Sequence, residues 1–151
     1  MKLNLYICSF PHFKKEPMIY SKEKTCNFTK RQLKKIGKLS LQFCMETFGV
    51  NNKKWYPVAL KIVHDIDDEY WGLYYPEINT IEIYPDACYN IGCFTSTIIH
   101  EYIHTLQKQD TRVYSKLLKE HGYTDHPFEV EARLYEKTFN RHLLRYLREN
   151  W

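Results

Sequence analysis

The sequence predicts an α+β domain in which one helix precedes a small antiparallel or mixed sheet of about three strands, and further helices follow the sheet. The strand candidates stand one after another near the middle of the chain, and segments with helical periodicity lie on either side of them. Consecutive strands followed by helices favour an α+β domain over a doubly wound α/β domain. The length suits a single domain over residues 1–151, with residues 1–28 expected to form a loop or a loosely held arm.

The first predicted helix begins after Thr29. The letters TKRQ form a capping box, in which the side chains of Thr29 and Gln32 each accept a hydrogen bond from the other's main-chain N–H. Apolar or small residues then recur at helical spacing from Leu33 onward. Gly49 is a suitable end, because glycine accepts the left-handed conformation that closes many helices.

Three strand candidates follow, with the letters YPVALKIVHD, EYWGLYYPE and NTIEIYPD. In the first, Val58, Leu60 and Ile62 lie on one side, and in the third Ile81 and Ile83 share one face. A turn-like connection, PEIN, joins the second and third candidates. We therefore expect these two strands to pair as a hairpin.

The remaining helices are predicted from periodicity and from a proline. A helix is expected over residues 95–109, and a shorter one over residues 113–119. The letters HGYTDHP interrupt the helical pattern, and Pro127 suits the first turn of a final helix that extends towards the C-terminus. The predicted order is thus helix, three strands, helix, short helix and helix.

Composition limits the function only broadly. The net charge of +4 is a mild basic excess that does not by itself indicate nucleic-acid binding. No run of roughly 18 apolar residues is present, and the N-terminus lacks a convincing cleavage site, so we expect neither a membrane span nor a signal peptide. The five cysteines at unrelated spacings are typical of reduced thiols in a cytoplasmic protein. Cys88 and Cys93 could instead bind a metal, but no second pair accompanies them.

The most informative stretch is TSTIIHEYIHTLQKQD, residues 95–110. His100 and His104 stand four residues apart, so on a helix both imidazoles can point to one metal ion. Glu101 lies about 100° around the helix from His100, where it can reach a water molecule on that metal without binding the metal itself. This H-E-x-x-H pattern predicts one Zn²⁺ ion with the glutamate as general base, whereas the alternative is an accidental pair of surface histidines.

A zinc hydrolase needs a third protein ligand, and several residues are candidates. Asp110 stands where a longer motif would have its last histidine, but no glycine at position 107 turns the chain back towards the metal. Glu129 and Glu131 lie early in the last predicted helix, about 200° apart, so only one of them can face the metal. Glu129 could instead belong to a capping box that follows His126, and both glutamates could be solvated charges.

Two motifs together resemble the gluzincin metallopeptidases: HEYIH at residues 100–104 and EVEA at residues 129–132. The resemblance covers roughly residues 55–145, and the length is similar to that of the small single-domain members. It implies a zincin-like fold in which a C-terminal glutamate helix supplies Glu129 as the third zinc ligand, with Glu101 as the base. It also implies that the strand before the active-site helix, NTIEIYPD, is an edge strand that pairs with extended substrate.

One position departs from the family pattern. Arg133 stands where the family often has Asp or Asn to support the first histidine, so that support must come from another residue. Gln107, one turn beyond His104, could help to hold the site or could be plain surface, and we favour the surface. Tyr123 or His126 is a candidate for stabilising the oxyanion of a tetrahedral intermediate.

The leading functional prediction is a monomeric zinc peptidase that acts on peptide or protein substrates. The alternative is a non-catalytic, metal-stabilised binding or toxin-like module that uses its basic helices on nucleic acid. The run KRQLKKIGK, residues 30–38, and a basic stripe on the last helix could form such a surface. A solvated helix face is the simpler interpretation of both, so we expect no nucleic-acid partner.

Overall fold

The computed structural model describes residues 19–54, 56–65, 69–107 and 110–151. Within these ranges the chain forms an α+β structure with four α-helices and one three-stranded sheet, as predicted. The elements, in chain order, are α1 (Lys30–Phe48), β1 (Ala59–Ile62), β2 (Gly72–Tyr75), β3 (Thr80–Ile83), α2 (Ile91–Leu106), α3 (Thr111–His121) and α4 (Pro127–Asn150). The predicted order of elements is therefore confirmed.

The sheet is mixed, and its strand order is β1-β3-β2. β2 and β3 pair antiparallel, with Gly72 opposite Ile83, which confirms the predicted hairpin. β1 pairs parallel to β3, with Leu60 opposite Ile81. After β1 the chain crosses to the far side of the sheet, where it forms β2, and the hairpin then places β3 between the two. Such a crossover is needed because β1 and β3 are parallel.

β3 is the central strand, so the expectation that NTIEIYPD forms an edge strand is wrong. Ile81 and Ile83 are completely buried, as expected for a strand with a neighbour on each side. Among the described residues, the outer strands of the sheet are instead β1 and β2. The letters of the sequence identify the strands, but which strand becomes central depends on how they pair.

The first helix has the predicted capping box. The Thr29 Oγ1 accepts a hydrogen bond from the Gln32 N–H at 3.2 Å, and the Gln32 Oε1 accepts one from the Thr29 N–H at 2.8 Å. Gly49, with a φ of 81°, ends the helix. The buried face of α1 includes Leu33 and Ile36 and packs against β1, α2 and α4.

α2 is the central helix of the structure. It packs against α1, α4, β2 and β3, and most of its residues are buried. It begins at Ile91 rather than at residue 95, because the Asn90 side chain accepts a hydrogen bond from the Cys93 N–H at 2.8 Å and caps the helix there. It ends at Leu106, before the predicted end at residue 109.

Residues 19–28, which belong to the expected arm, are packed against the rest of the chain. Ile19 is buried in the core, and its main-chain oxygen accepts a hydrogen bond from Arg148 at 3.1 Å. The Thr25 Oγ1 donates a hydrogen bond of 2.7 Å to a main-chain oxygen just before α2. Residues 19–28 thus form a loop with a short 3-10 helix, Thr25–Asn27, that is packed rather than loosely held, and residues 1–18 lie outside the described part of the chain.

α3 and α4 begin at polar caps. The Asp110 carboxylate accepts a hydrogen bond of 2.9 Å from the Arg112 N–H at the start of α3. The His126 Nδ1 accepts one of 3.1 Å from the Phe128 N–H at the start of α4, whose first residue is Pro127, as predicted.

None of the described helices has the length and apolar character that a membrane crossing requires. The cysteines in the described ranges are free thiols: Cys26, Cys44, Cys88 and Cys93.

Gly72 marks a close approach between β2 and its neighbours. A Cβ atom added there would lie 2.9 Å from the Glu82 main-chain oxygen and 2.9 Å from the Thr97 Cγ2, so β2 would have to shift. We expect Gly72→Ala to lower the free energy of unfolding by about 1–3 kcal/mol in urea denaturation. Glu77→Ala, in the exposed hairpin turn, is the control and should change it by less than about 0.5 kcal/mol. Unchanged stability of the Gly72→Ala protein would contradict the tight contact.

Candidate metal centre

His100, His104 and Glu129 bring three potential ligand atoms together. The His100 Nε2 lies 3.1 Å from one carboxylate oxygen of Glu129, and the His104 Nε2 lies 3.4 Å from the other. One ligand atom from each residue lies within 4.8 Å of the others. The histidines stand one turn apart on α2, and Glu129 comes from the first turn of α4, which packs against α2. The structure therefore joins the three residues that the sequence analysis selected.

The spacing of these atoms is compatible with a bound metal ion. The two nitrogen–oxygen distances, 3.1 and 3.4 Å, run to different oxygens of the Glu129 carboxylate, and one ligand atom from each of the three residues lies within 4.8 Å of the others. Imidazole nitrogens and carboxylate oxygens are also donors that zinc and other transition metals bind. The group could therefore hold a metal ion.

Each imidazole has a hydrogen-bond partner on its outer nitrogen. The His100 Nδ1 lies 3.0 Å from a carboxylate oxygen of Glu136, and the His104 Nδ1 lies 2.7 Å from the Gln107 Oε1. Both partners are acceptors, so a neutral ring would carry its hydrogen on Nδ1 and present the lone pair of Nε2 to the centre. Metal-binding histidines are typically oriented in this way.

Gln107 belongs to the site, and the expectation that it is a surface residue is wrong. Its side chain is buried. Besides its contact with His104, it donates hydrogen bonds to the Glu131 Oε2 at 2.8 Å and to the main-chain oxygen of Phe128 at 2.9 Å. Glu131, the rival candidate for the third ligand, therefore contacts Gln107, whereas Glu129 contacts the histidines.

The first histidine, His100, is supported by Glu136. The sequence alone did not indicate this role for Glu136. Arg133, where the resemblance had implied that support, donates instead to the main-chain oxygen of Thr124. Glu136 follows Glu129 by about two helical turns, so both carboxylates lie on the same face of α4. The seven-residue spacing from Glu129 could have suggested Glu136. The sequence does not show, however, which face of α4 packs against α2.

Asp110 and His126, which the sequence also suggested for the site, have different roles. The Asp110 carboxylate caps α3. His126 is completely buried, caps α4 and stacks on Tyr114 with 4.2 Å between ring centroids. Glu129 also lies in the first turn of α4, but its carboxylate contacts the two imidazoles. Glu129 is therefore more than a capping residue, because its carboxylate contacts the two histidines.

The charges of the central groups depend on one another. Burial alone would lower the pKa of His100, but hydrogen bonds to Glu129 and Glu136 outweigh it and raise that pKa to about 10. Burial also opposes ionisation of Glu129, yet hydrogen bonds from His100 and His104 hold the pKa of that carboxyl well below its usual range. A metal ion at this position would have to displace the imidazole protons, because only the neutral ring is a ligand.

Glu101 lies beside this group on the neighbouring side of α2. Its side chain is 9% exposed and lines the same cleft as the histidines. Burial raises the pKa of the Glu101 carboxyl, while His104 and His100 oppose that rise. A raised pKa brings the proton affinity of a carboxylate closer to neutral pH, which suits a general base.

A cleft of about 310 Å³ lies over the potential ligand atoms. β2 forms one side, and Tyr114 and Tyr123 contribute to its lining as well. Burial, together with the charges of Glu129 and Glu101, raises the pKa of Tyr123 to about 12, so its hydroxyl stays protonated well above neutral pH. Of the two oxyanion candidates, Tyr123 lines the cleft, whereas His126 caps α4.

Removal of single carboxylates should separate their roles in metal binding. We expect Glu129→Ala to lower the affinity for Zn²⁺ by well over about 100-fold, because it deletes one of the three protein ligand atoms. Glu131→Ala removes only a partner of Gln107 and should cost at most about 10–100-fold. Competition with a coloured chelator measures both affinities. A larger loss in the Glu131→Ala protein would transfer the ligand role to Glu131.

Comparison of the chain with family models, with curated proteins and with solved structures finds no match. The functional interpretation therefore depends on the geometry and chemistry of the described residues.

Proposed function

We propose that this protein is a zinc-dependent metallopeptidase that hydrolyses peptide bonds in peptide or protein substrates. The observation that carries the proposal is the convergence of His100, His104 and Glu129 beneath a cleft that Glu101 also lines. A purely structural cluster of ion pairs requires neither a cleft above it nor a further buried carboxylate beside it. A hydrolytic site uses both, the first to admit substrate and the second to accept a proton.

Zinc is the metal we propose. Two imidazoles and one carboxylate are a ligand set of catalytic zinc sites, and three protein ligands leave a position open. When bound in such a site, zinc lowers the pKa of a water molecule to near 7 and polarises a carbonyl group. His100, His104 and Glu129 would hold the ion, while Glu136 and Gln107 keep the two rings in position.

Glu101 is the proposed general base. It accepts a proton from the attacking water as the oxygen adds to the carbonyl carbon of the substrate. The same carboxyl then returns the proton to the amide nitrogen, so that the C–N bond breaks and a neutral amine leaves. The buried position of Glu101 supports this cycle, because burial raises the pKa of the carboxyl and so favours its proton-bound state between the two transfers.

The substrate chain is proposed to pair with β2, the edge of the sheet that lines the cleft. The Tyr84 N–H donates to the main-chain oxygen of Trp71 at 2.9 Å, so Gly72 and Tyr74, at alternate positions, direct their main-chain groups away from β3. Both residues line the cleft. An extended peptide can therefore add to β2 as a further strand, the role that had been expected of NTIEIYPD.

The finer fold that we propose is zincin-like, of the gluzincin type. α2 carries HEYIH, and α4 runs antiparallel beside it as the glutamate helix. The direction follows from the contacts, because His104 lies near Glu129 at the start of α4 and His100 lies near Glu136 further along. Two observations support a zincin-like fold: the antiparallel arrangement of these two helices, and the position of the outer strand β2 beside the cleft.

Replacement of the base should uncouple metal binding from catalysis. We expect Glu101→Gln to retain zinc, because the altered group lies outside the ligand set, and to lose at least about 100-fold in kcat/KM, because an amide cannot accept the proton. A quenched fluorescent peptide mixture measures hydrolysis, and elemental analysis measures bound zinc. Glu149→Gln, an exposed change on α4, is the control. Loss of zinc in the Glu101→Gln protein would mean that Glu101 is a ligand rather than the base.

The hydroxyl of Tyr123 is proposed to stabilise the oxyanion of the tetrahedral intermediate. We expect Tyr123→Phe to lower kcat by about 100–1,000-fold with little change in KM, since this hydrogen bond forms in the transition state. Tyr114→Phe alters another tyrosine of the cleft lining, the one that stacks on His126, and should change kcat only a few-fold. Steady-state kinetics on one cleaved peptide compares the two variants. An equal loss of kcat in the two variants would contradict the proposed role of Tyr123 in stabilising the oxyanion.

A further inference from the structure

A second groove, of about 670 Å³, lies between α1 and β1. β1 and β2 are opposite edges of the sheet, so this groove lies on the edge away from the metal centre, and the two cavities share no lining residue. Apolar side chains line part of it, among them Leu41, Leu60 and Ile62. The remainder of the lining is strongly basic and includes Lys30, Lys34, Lys38 and Lys61. We call this cavity the basic groove.

The lysines of the basic groove have no acidic partners among the described residues. All four side chains are exposed, and none lies within ion-pair distance of a described carboxylate. Lys30, Lys34 and Lys38 follow one another at steps of four along α1, where like charges destabilise a helix. An acidic ligand in the groove would replace this repulsion by attraction.

The open edge of β1 lies along the same groove. The N–H groups of Ala59 and Val63 both donate hydrogen bonds of 3.0 Å towards the β3 side. Because alternate residues of a parallel strand face its partner, Leu60 and Ile62 direct their N–H and C=O groups to the opposite side. In the described ranges no strand pairs with that side of β1. The groove therefore combines positive charge with unpaired main-chain donors and acceptors.

We propose that the basic groove binds an extended acidic segment of a partner polypeptide, which adds to β1 as a fourth strand. Side chains on one face of a strand repeat every ~6.6–6.8 Å, and residues four apart on a helix repeat every ~6 Å along its axis. Carboxylates at every second position of the segment can therefore lie opposite successive lysines of α1. This interaction does not require the proposed peptidase activity.

A polypeptide fits this groove better than a nucleic acid. Proteins that bind single-stranded nucleic acid combine basic grooves with aromatic side chains on which the bases stack. None of the described residues that line this groove is Phe, Tyr or Trp, and the His64 imidazole lies 3.8 Å from the Asp86 carboxylate. Its apolar part, formed by Leu41, Leu60 and Ile62, suits aliphatic side chains instead. An open strand edge offers main-chain hydrogen bonds that only another polypeptide can pair in register.

The test uses a short fluorescent peptide in which glutamate and valine alternate, with binding measured by anisotropy. The full chain carries Glu101→Gln, so that the probe is not consumed even if the protein is a peptidase. We expect saturable binding that weakens as salt is raised. Lys34→Glu combined with Lys38→Glu should weaken it by at least about tenfold, because two attractions become repulsions.

Matched controls separate the groove from charge in general. Lys137→Glu combined with Arg141→Glu changes the charge by the same amount at the same spacing on α4, and should leave affinity within about twofold. The same glutamate–valine peptide with its main-chain amides N-methylated has the same charge but lacks the donors that pair with β1, so it should bind at least about tenfold more weakly. Thermal melting checks that each variant is folded.

Several outcomes would overturn the proposal. They are absence of binding to the glutamate–valine peptide, equal loss with the α4 control pair, and equal affinity for the N-methylated peptide. Tighter binding of a single-stranded oligonucleotide, lost with the α1 pair, would assign the groove to nucleic acid. Self-association lost with the same pair would assign it to a second copy of the chain. Each result bears on the groove alone, because the peptidase is tested separately by its zinc content and its hydrolysis.

Discussion

The Glu129 carboxylate, buried between two imidazoles, is the contact on which the rest of the candidate site depends. A buried carboxylate is costly unless it is paired, and Glu129 is only 4% exposed. Its partners, His100 and His104, lie on α2, so their contact with α4 sets how the two helices align. Further along, the Thr95 hydroxyl and the Asn140 side chain form a 2.6 Å hydrogen bond that holds the same alignment.

The residues around this contact make the site rigid. Gln107 joins His104 to the first turn of α4, and Glu136 joins His100 to a later turn of the same helix. Both histidines are thus held from two sides by groups on well-packed helices. Such preorganisation matters for a metal centre, because ligands that are already in position lose little conformational freedom when the ion binds. The same packing leaves Glu101 fixed beside the group and within the cleft.

Within the part of the chain that the structure describes, the strand order gives the small sheet two outer edges with different surroundings. β2 lies over the histidines and faces the cleft, whereas β1 lies beside the lysines of α1. An exposed edge can pair with other copies of a chain, and lysines beside it discourage that pairing because like charges repel. The same lysines would attract an acidic segment. In the two proposals above, a substrate would lie at one edge of the sheet and a partner at the other, and the two cavities share no lining residue.

By itself, the sequence determined the features that depend on near neighbours: the capping box at Thr29, Pro127 at the start of α4, the hairpin and the histidine pair one helical turn apart. The tertiary structure decided the order of the strands, the burial of Gln107, the support from Glu136 and the contact of Glu129 rather than Glu131 with the histidines. These features depend on which faces of α2, α4 and the sheet meet. That choice is made by the packing of many side chains from distant segments, and no local pattern of residues contains it.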